Sequence, residues 1–363
     1  MFQKYRSFYL FYVFHTCIFA KVLIKDYHID IEYKIPRTVE FILEYKKSFD
    51  LYLESQLQGK TPNALYEPIL YGLQSSGKRI RPILALMGCH LLSVEYNAAL
   101  PAAMAVEIFH NFTLLHDDIM DNATKRRGKA SVYAKYGVPS AILSGDAMLI
   151  YGYQYLLSFQ DKDTALSLSS IMTQNAIGVC EGQQMDMDFE ESSSVTIEDY
   201  IDMITKKTSI LLGASLEMGG VVAGADAQQR NHLFEFGKNI GIAFQIQDDI
   251  LDAFGSEDET GKIKGGDIIN NKKTYLYLKA LELASLKQKR ILTNHYNHHP
   301  DDPSIKIKEV LTIFKELAVE EYANQLKQSY LDLGISHLKE VEGDQEITDL
   351  LKKVSYYIID RAK

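Results

Sequence analysis

Residues 110–128 read HNFTLLHDDIMDNATKRRG, and residues 244–252 read FQIQDDILD. In each, an Asp-Asp-x-x-Asp group ends a long run whose apolar residues recur at spacings of three and four, the period of a helix. On a helix, positions i and i+4 share one face about 6 Å apart. Asp117 with Asp121, and Asp248 with Asp252, therefore each present two carboxylates in one direction, with Asp118 and Asp249 beside them. Leu114, Leu115, Ile119 and Met120 flank the first group, and Ile246, Ile250 and Leu251 the second. Packing like charges against apolar side chains is costly unless a cation neutralises them. An all-oxygen donor set without His or Cys favours Mg²⁺ over zinc. One such group alone reads equally well as an exposed acidic helix end. Two copies with one spacing, both inside apolar helices, favour the metal.

Outward from these stretches the helical period continues through 39–57, 82–92, 98–120, 140–159, 163–182, 197–220 and 228–254. Alternating strand patterns and Asn-Gly hairpins are absent from the sequence. The last third, 274–361, reads as further amphipathic helices broken at 294–304, NHYNHHPDDPS. His295, His298 and His299 lie there among Pro and Asp, which predicts a solvated turn rather than a metal site. No internal repeat and no linker divides the chain. The pattern predicts one all-α domain over residues 38–363, with roughly a dozen helices.

Residues 1–37 are an aromatic-rich extension. Residues 7–24 read SFYLFYVFHTCIFAKVLI, preceded by Lys4 and Arg6. No small-x-small cleavage site follows, and His15 and Lys21 interrupt the run of about 20 apolar residues that a spanning helix needs. A loose extension, an upstream start codon and a membrane anchor remain open readings, and membrane contact is expected only if the extension is real.

Composition narrows the function. The 363 residues carry 39 Lys+Arg against 48 Asp+Glu, a net charge of −9, and no basic block, which excludes general nucleic-acid binding. Cys17, Cys89 and Cys180 are too few and too scattered for a disulfide framework or a zinc site, and suit a reducing, cytoplasmic setting. No Gly-x-Gly-x-x-Gly run supports a dinucleotide fold.

A metal held by few protein ligands commonly shares its shell with substrate phosphates. The cations to meet them are present. Lys78, Arg79 and Arg81 lie in GKRIRP at 77–82, and Arg126 and Arg127 follow the first aspartate group. Lys206, Lys207 and Thr208 interrupt an apolar helix, and Lys262, Lys264, Lys272 and Lys273 follow the second group. Arg grips phosphate in a bidentate fork and Lys acts as a point charge. Singly, each basic pair suits a solvated face; interleaved with two acidic groups, they describe a site for two diphosphates.

GKRIRP, HNFTLLHDDIMDNATKRRG, EGQQMD (181–186), KKTS (206–209), FQIQDDILDAFG (244–255), TGKIKGGDI (260–268) and NKKT (271–274) resemble the successive motifs of the trans-isoprenyl diphosphate synthases, or polyprenyl synthetases. They stand in the family's order across about residues 60–280. The resemblance implies the isoprenoid-synthase bundle, helices around a central cavity, and a homodimer. It makes Asp117 and Asp121, with Asp118 in the same group, ligands for Mg²⁺ on the allylic diphosphate. Asp248, assisted by Asp249 or Asp252, would hold a further ion, three per site. It assigns Arg126, Lys207, Thr208, Gln245 and Lys262 to the allylic diphosphate, with Lys272 nearby. Lys78, Arg81, His110 and Arg127 go to isopentenyl diphosphate, where no metal is implied. Gln183 and Asp186 would orient metal-bound water. Lys264 departs from several relatives and blurs the division of labour with Lys262.

The implied reaction ionises the allylic C–O bond, and the isopentenyl double bond attacks the resulting cation. Proton loss to the departed diphosphate then restores an alkene. A class I terpene cyclase would have a different second motif, and a silent partner subunit would have lost aspartates that are intact here. Phe112, five residues before Asp117, is the expected floor for the growing chain, with the small Thr113 beside it. That pairing resembles a C20, geranylgeranyl, synthase, with C15 farnesyl as runner-up and a longer product less favoured. The competing reading of Phe112 is core packing, since an ideal helix points Thr113 nearer the Asp117 face.

Overall fold

The computed structural model describes residues 37–74, 77–192, 194–255, 265–298, 300 and 302–359. The aromatic stretch at 7–24, Lys262, Lys264 and His299 lie outside the described residues. The helices are α1 (Arg37–Leu57), α2 (Asn63–Gln74), α3 (Ile80–Leu91), α4 (Leu100–Met120), α5 (Val132–Tyr136), α6 (Val138–Leu156), α7 (Lys162–Glu191), α8 (Ile197–Ile204), α9 (Ile210–Val222) and α10 (Ala227–Phe254). After them come α11 (Gly266–Ile269), α12 (Tyr275–Leu283), α13 (Leu286–Tyr296), α14 (Ser304–Glu316), α15 (Val319–Lys339) and α16 (Gln345–Ile359). These exceed the predicted dozen among the described residues, because short segments such as α5 and α11 are too brief to carry a period.

Helix starts follow local chemistry. Thr196 with Asp199, Asp226 with Gln229, and Ser285 with Gln288 form reciprocal capping boxes that start α8, α10 and α13. A helix apolar on every side has to be buried, and α4 and α9 are the two such helices at the centre. Residues 102–109 of α4 are all buried. The stretch Tyr96–Met120 is long and apolar enough to cross a membrane, but 61% of its apolar window is buried inside the protein, as a core helix requires.

Two apolar clusters result. The larger draws on α1–α7, α9, α15 and α16, and the smaller on α8 and α11–α15. Helix α10 serves both: Leu233, Phe236 and Ile240 enter the first, while Ile242, Ile246 and Ile250 enter the second. Its carboxy-terminal half, with the second aspartate group, is thereby clamped on the side of the smaller cluster.

Three departures from the predicted elements matter for the site. The helix expected over 197–220 is interrupted by a π-helical turn, Thr205–Ser209, in which Ser209 Oγ donates to the Ile204 carbonyl. Helix α7 continues past residue 182 to Glu191, so EGQQMD is helical. A two-stranded hairpin, β1 (Lys125–Arg126) and β2 (Lys129–Ala130), follows the first aspartate group, although the sequence shows no strand pattern. Two-residue strands cannot display alternation. The turn places Arg127 and Gly128 at φ 52° and 76°, the left-handed pair that a tight hairpin demands.

Candidate active site

The first aspartate group closes α4. Arg126, turned back by the hairpin, donates from Nε to Asp118 Oδ1 at 2.8 Å and from Nη2 to Asp117 Oδ2 at 3.1 Å. Asp118 is buried, and burial lifts its pKa against the pull of Arg126. Asp121 is also lifted, first by burial and then by Asp117, while Lys207 and Lys272 oppose the shift. Lys207 and Lys272 are thus close enough to feel the first group, although they lie far along the chain.

The π-helical turn explains the placement of Lys207. A methyl group at Gly182 of α7 would lie 2.3 Å from the Lys207 backbone nitrogen, so only glycine lets α7 approach this closely. The contact brings Lys207 Nζ within 2.5 Å of Asp186 Oδ2, one turn further along α7. π-Helical turns recur at functional sites because the widened turn re-aims side chains. Lys206 faces the other way, pairing with Glu181 at 3.4 Å and Asp202 at 3.1 Å.

Across the cleft, α10 supplies the second group. Asp249 is buried and accepts from the Tyr200 hydroxyl at 2.5 Å and from Gln245 Nε2 at 3.4 Å. Burial and the nearby Asp267 hold its carboxyl well above the ordinary range. Asp252 accepts from the Asp267 backbone N–H at 2.9 Å and so opens α11. Asp248 is half-buried beside them. Burial alone would depress the Lys272 ammonium, but Asp186, Asp267, Asp121 and Asp249 outweigh it and raise its pKa. Lys272 therefore feels both aspartate groups at once. Asp186, Lys207, Thr208, Gln245, Asp249, Asp267 and Lys272 line a cleft of about 160 Å³.

Among the described residues, no three Asp, Glu, His or Cys side chains converge into a metal cage. Half-buried carboxylates opposite lysines instead fit hard ions that complete their shells with water and phosphate oxygens.

The basic stretch 77–82, expected to serve the second diphosphate, leads into α3. Arg81 Nη1 lies 3.1 Å from His110 Nε2. A guanidinium can only donate, so Nε2 accepts and the ring proton sits on Nδ1. Burial, then Arg81, Arg127, Arg126 and Arg79, hold the His110 pKa well below its usual value, so the ring is neutral. Gly77 touches the Arg127 guanidinium: a methyl there would lie 2.8 Å from Nη1. Lys78 lies exposed, 5.2 Å over the Tyr357 ring of α16.

A model of the polyprenyl synthetase family matches residues 62–314. The chain belongs to this family. A short chain isoprenyl diphosphate synthase of Methanocaldococcus jannaschii is 43% identical over 252 residues, 69% of this chain and 76% of the relative. A geranylgeranyl diphosphate synthase of Sulfolobus acidocaldarius is 35% identical over 324 residues, 88% and 97% of the two chains. A crystal structure of a geranylgeranyl pyrophosphate synthase superposes with a TM-score of 0.85 at 38% identity, covering 89% of this chain and 99% of the other. The protein is accordingly an all-α trans-prenyltransferase, and magnesium dependence is general in its family.

Arg79 of GKRIRP, expected among the cations that meet phosphate, is instead buried and paired, and other residues of this polyprenyl synthetase escape a motif reading. Arg79, at φ 54°, turns inward and bonds Glu107 Oε1 at 2.5 Å, and its other nitrogen meets the Leu73 carbonyl. Asn111 Nδ2 also donates to Glu107 Oε1, at 3.1 Å. A lone Glu inside the apolar run of α4 was the available signal. Tyr200 carried none, and Asp267 stood in GGDI without an assigned role. Phe112 packs 5.6 Å from Phe109 and 4.8 Å from His116, and the His116 ring reaches the Ile142 carbonyl of α6 at 3.3 Å. Thr113 Oγ1 donates to the His110 carbonyl at 2.8 Å.

Proposed function

We propose that this prenyltransferase condenses isopentenyl diphosphate with an allylic diphosphate to give a linear C20 product, geranylgeranyl diphosphate. The single observation that carries the reading is Lys272, which lines the cleft with Asp186 and Asp249 and also feels the charge of Asp121 in the first group. Asp117, Asp121 and Asp248 would hold Mg²⁺, three ions per site, with Asp118, Asp249 and Asp252 fixing the groups from behind. The ions, when bound, supply positive charge against the departing diphosphate. Lys207 and Thr208 of the π-helical turn, Gln245 of α10 and Lys272 of the turn after α11 bind that diphosphate, and Gln183 and Asp186 of α7 orient water around it. Arg126 anchors Asp117 and Asp118 and so aims them, besides its expected contact to the allylic diphosphate. Lys78, Arg81, His110 and Arg127 bind isopentenyl diphosphate, with the neutral His110 donating from Nδ1. Phe189, Met203 and Ile204 line the cleft with apolar surface that excludes water. The departed diphosphate accepts the proton.

The C20 product rests on Phe112 with the small Thr113 beside it, and on relatives that bear the geranylgeranyl name. We further propose a cytoplasmic homodimer. Ile142, Leu143 and Ile150 along α6, Leu157 just after it, and Leu166 and Ile177 on α7, are exposed apolar side chains that a second copy would cover. The thiols of Cys89 and Cys180 are free, which suits a reducing compartment. The deciding experiment incubates purified protein with Mg²⁺, labelled isopentenyl diphosphate and dimethylallyl, geranyl or farnesyl diphosphate, followed by chromatography. A linear C20 product is expected. A C15 or longer product overturns the length assignment, and no incorporation by the protein alone overturns the activity.

A further inference from the structure

Lys306, in the first turn of α14, is only 1% exposed, although lysine is among the residues least often buried. Its ammonium has three N–H groups and meets three acceptors: the Ile269 carbonyl at 3.3 Å, the His298 carbonyl at 3.3 Å, and Asn271 Oδ1. None of the three is charged, and among the described residues no carboxylate forms an ion pair with Lys306. Burying a cation among neutral groups is costly, and burial here depresses its pKa. An apolar side chain would fill the space more cheaply, so the position of the acceptors has to explain the lysine.

Those acceptors belong to the segment that carries the Lys272 side of the cleft. Ile269 is the last residue of α11, a helix of four residues that cannot hold itself by its own hydrogen bonds. A cation at its carboxy-terminal carbonyl opposes the helix dipole and satisfies an acceptor with no intrahelical partner. Asn271 follows in the left-handed region at φ 58°, and the Lys272 N–H then donates to the Asp267 carbonyl at 2.9 Å. Ile307, next to Lys306, closes on Gly265 at the other end of α11, where an added methyl would lie 3.2 Å away. The third acceptor, His298, fastens the turn after α13, where Tyr296 stacks on Tyr277 of α12 with ring centres 3.7 Å apart. Lys306 thus ties α11 and its exit turn to the α13–α14 connection from behind the cleft.

We propose that Lys306 is a positioning residue for the allylic diphosphate. By fixing residues 265–274 it holds Lys272 and Asp267 towards Asp121, Asp186 and Asp249, without touching substrate itself. The proposal rests on the reading that Lys272 serves the allylic diphosphate. Lys306→Met keeps the apolar stem and removes all three donors, and Lys306→Gln keeps a neutral donor. Steady-state KM for geranyl diphosphate and for isopentenyl diphosphate is measured for both variants, with hydrogen exchange by mass spectrometry on the full chain. Lys306→Met should raise the geranyl diphosphate KM about tenfold and leave the isopentenyl KM within about twofold. Exchange should quicken at 265–274, and Lys306→Gln should fall between wild type and Met. Equal rises in both KM values, or an unchanged geranyl KM with faster exchange, would overturn the proposal and leave a purely structural lysine. If Lys306→Met does not fold, the same KM ratio in Lys306→Gln decides. Wild-type protein that elongates no primer would instead defeat the reading of the site, and the exchange data would still show whether Lys306 holds the segment.

Discussion

The Tyr200 hydroxyl donates to Asp249 Oδ2 at 2.5 Å and joins α8 to the second aspartate group inside the protein. Burial pushes the Asp249 carboxyl towards its neutral form, and this hydrogen bond favours the charged form. In Tyr200→Phe the buried carboxyl loses its shortest donor. Stability should drop by about 1–3 kcal/mol in urea unfolding, and kcat should drop roughly tenfold as Asp249 spends more time protonated. An unchanged kcat would reduce Tyr200 to a packing residue.

Removal of a carboxylate from either group tests the metal assignment. Asp117→Ala and Asp248→Ala should each lower kcat by at least about 10² at saturating Mg²⁺, since each removes charge stabilisation worth several kcal/mol. Circular dichroism should stay unchanged, because Arg126 keeps its 2.8 Å partner Asp118 when Asp117 is removed. Chelation of the wild type should abolish turnover, and added Mg²⁺ should restore it. Near-wild-type turnover by Asp117→Ala would sink the assignment.

The two diphosphates should separate kinetically. Arg81 lies against His110, and Lys207 lies against Asp186. Arg81→Ala should raise KM for isopentenyl diphosphate at least about tenfold more than for the allylic primer. Lys207→Ala should do the reverse or lower kcat. Matching changes in both KM values would show that the division is wrong.

Glu217 on α9 gives a stability prediction away from the chemistry. Burial raises its pKa from 4.5 to about 7, with Arg230 opposing. The native carboxyl therefore keeps a proton that the unfolded chain releases. Stability should fall as pH rises from about 4.5 to about 7 and then level off, by roughly 1–3 kcal/mol from this group. Urea unfolding at pH 5 and pH 8 should show that loss in the wild type and a smaller one in Glu217→Gln. Equal pH dependence in the two proteins would refute it.

What the sequence made legible was whatever it concentrates locally. Helices α4 and α10 carry long apolar periods, and the aspartates of each group sit within a few residues of one another, so element and chemistry could be read together. The bracing residues work across distance. Arg79 reaches Glu107 over 28 positions, Lys306 reaches Ile269 over 37, and Tyr200 reaches Asp249 over 49. Each is a single residue in an ordinary context, and only the fold supplies its partner. The π-helical turn at Thr205–Ser209 and the hairpin after Ala123 were hidden for another reason. A five-residue turn and two-residue strands are shorter than the window in which any period can be seen. The turn expected at 294–304 starts later than its histidines suggested: α13 runs to Tyr296, so His295 is helical and pairs with Glu309 of α14 at 2.7 Å, and the turn offers Lys306 the His298 carbonyl.

Product length remains the sharpest test of the proposed function. Phe112 lies five residues before Asp117, about 7.5 Å along the axis of α4 at 1.5 Å per residue. Its ring stands 4.8 Å from His116, on the face that meets α6, whereas the small Thr113 lies nearer the Asp117 face. A tail growing down α4 therefore passes Thr113 and is stopped by Phe112 only if that ring closes the space from the α6 side. Phe112→Ala opens it. Products should then lengthen beyond C20 until Ile108 or Phe109, each about 1% exposed and one turn further down, blocks the path. Chromatography of the products with farnesyl diphosphate as primer reads the outcome directly. Removing a partly buried Phe also costs stability, roughly 1–3 kcal/mol, less than for a fully buried ring. That loss occurs under either reading, so chain length alone decides between them. A less stable variant that still makes the wild-type product would assign Phe112 to packing and remove the main support for the C20 assignment.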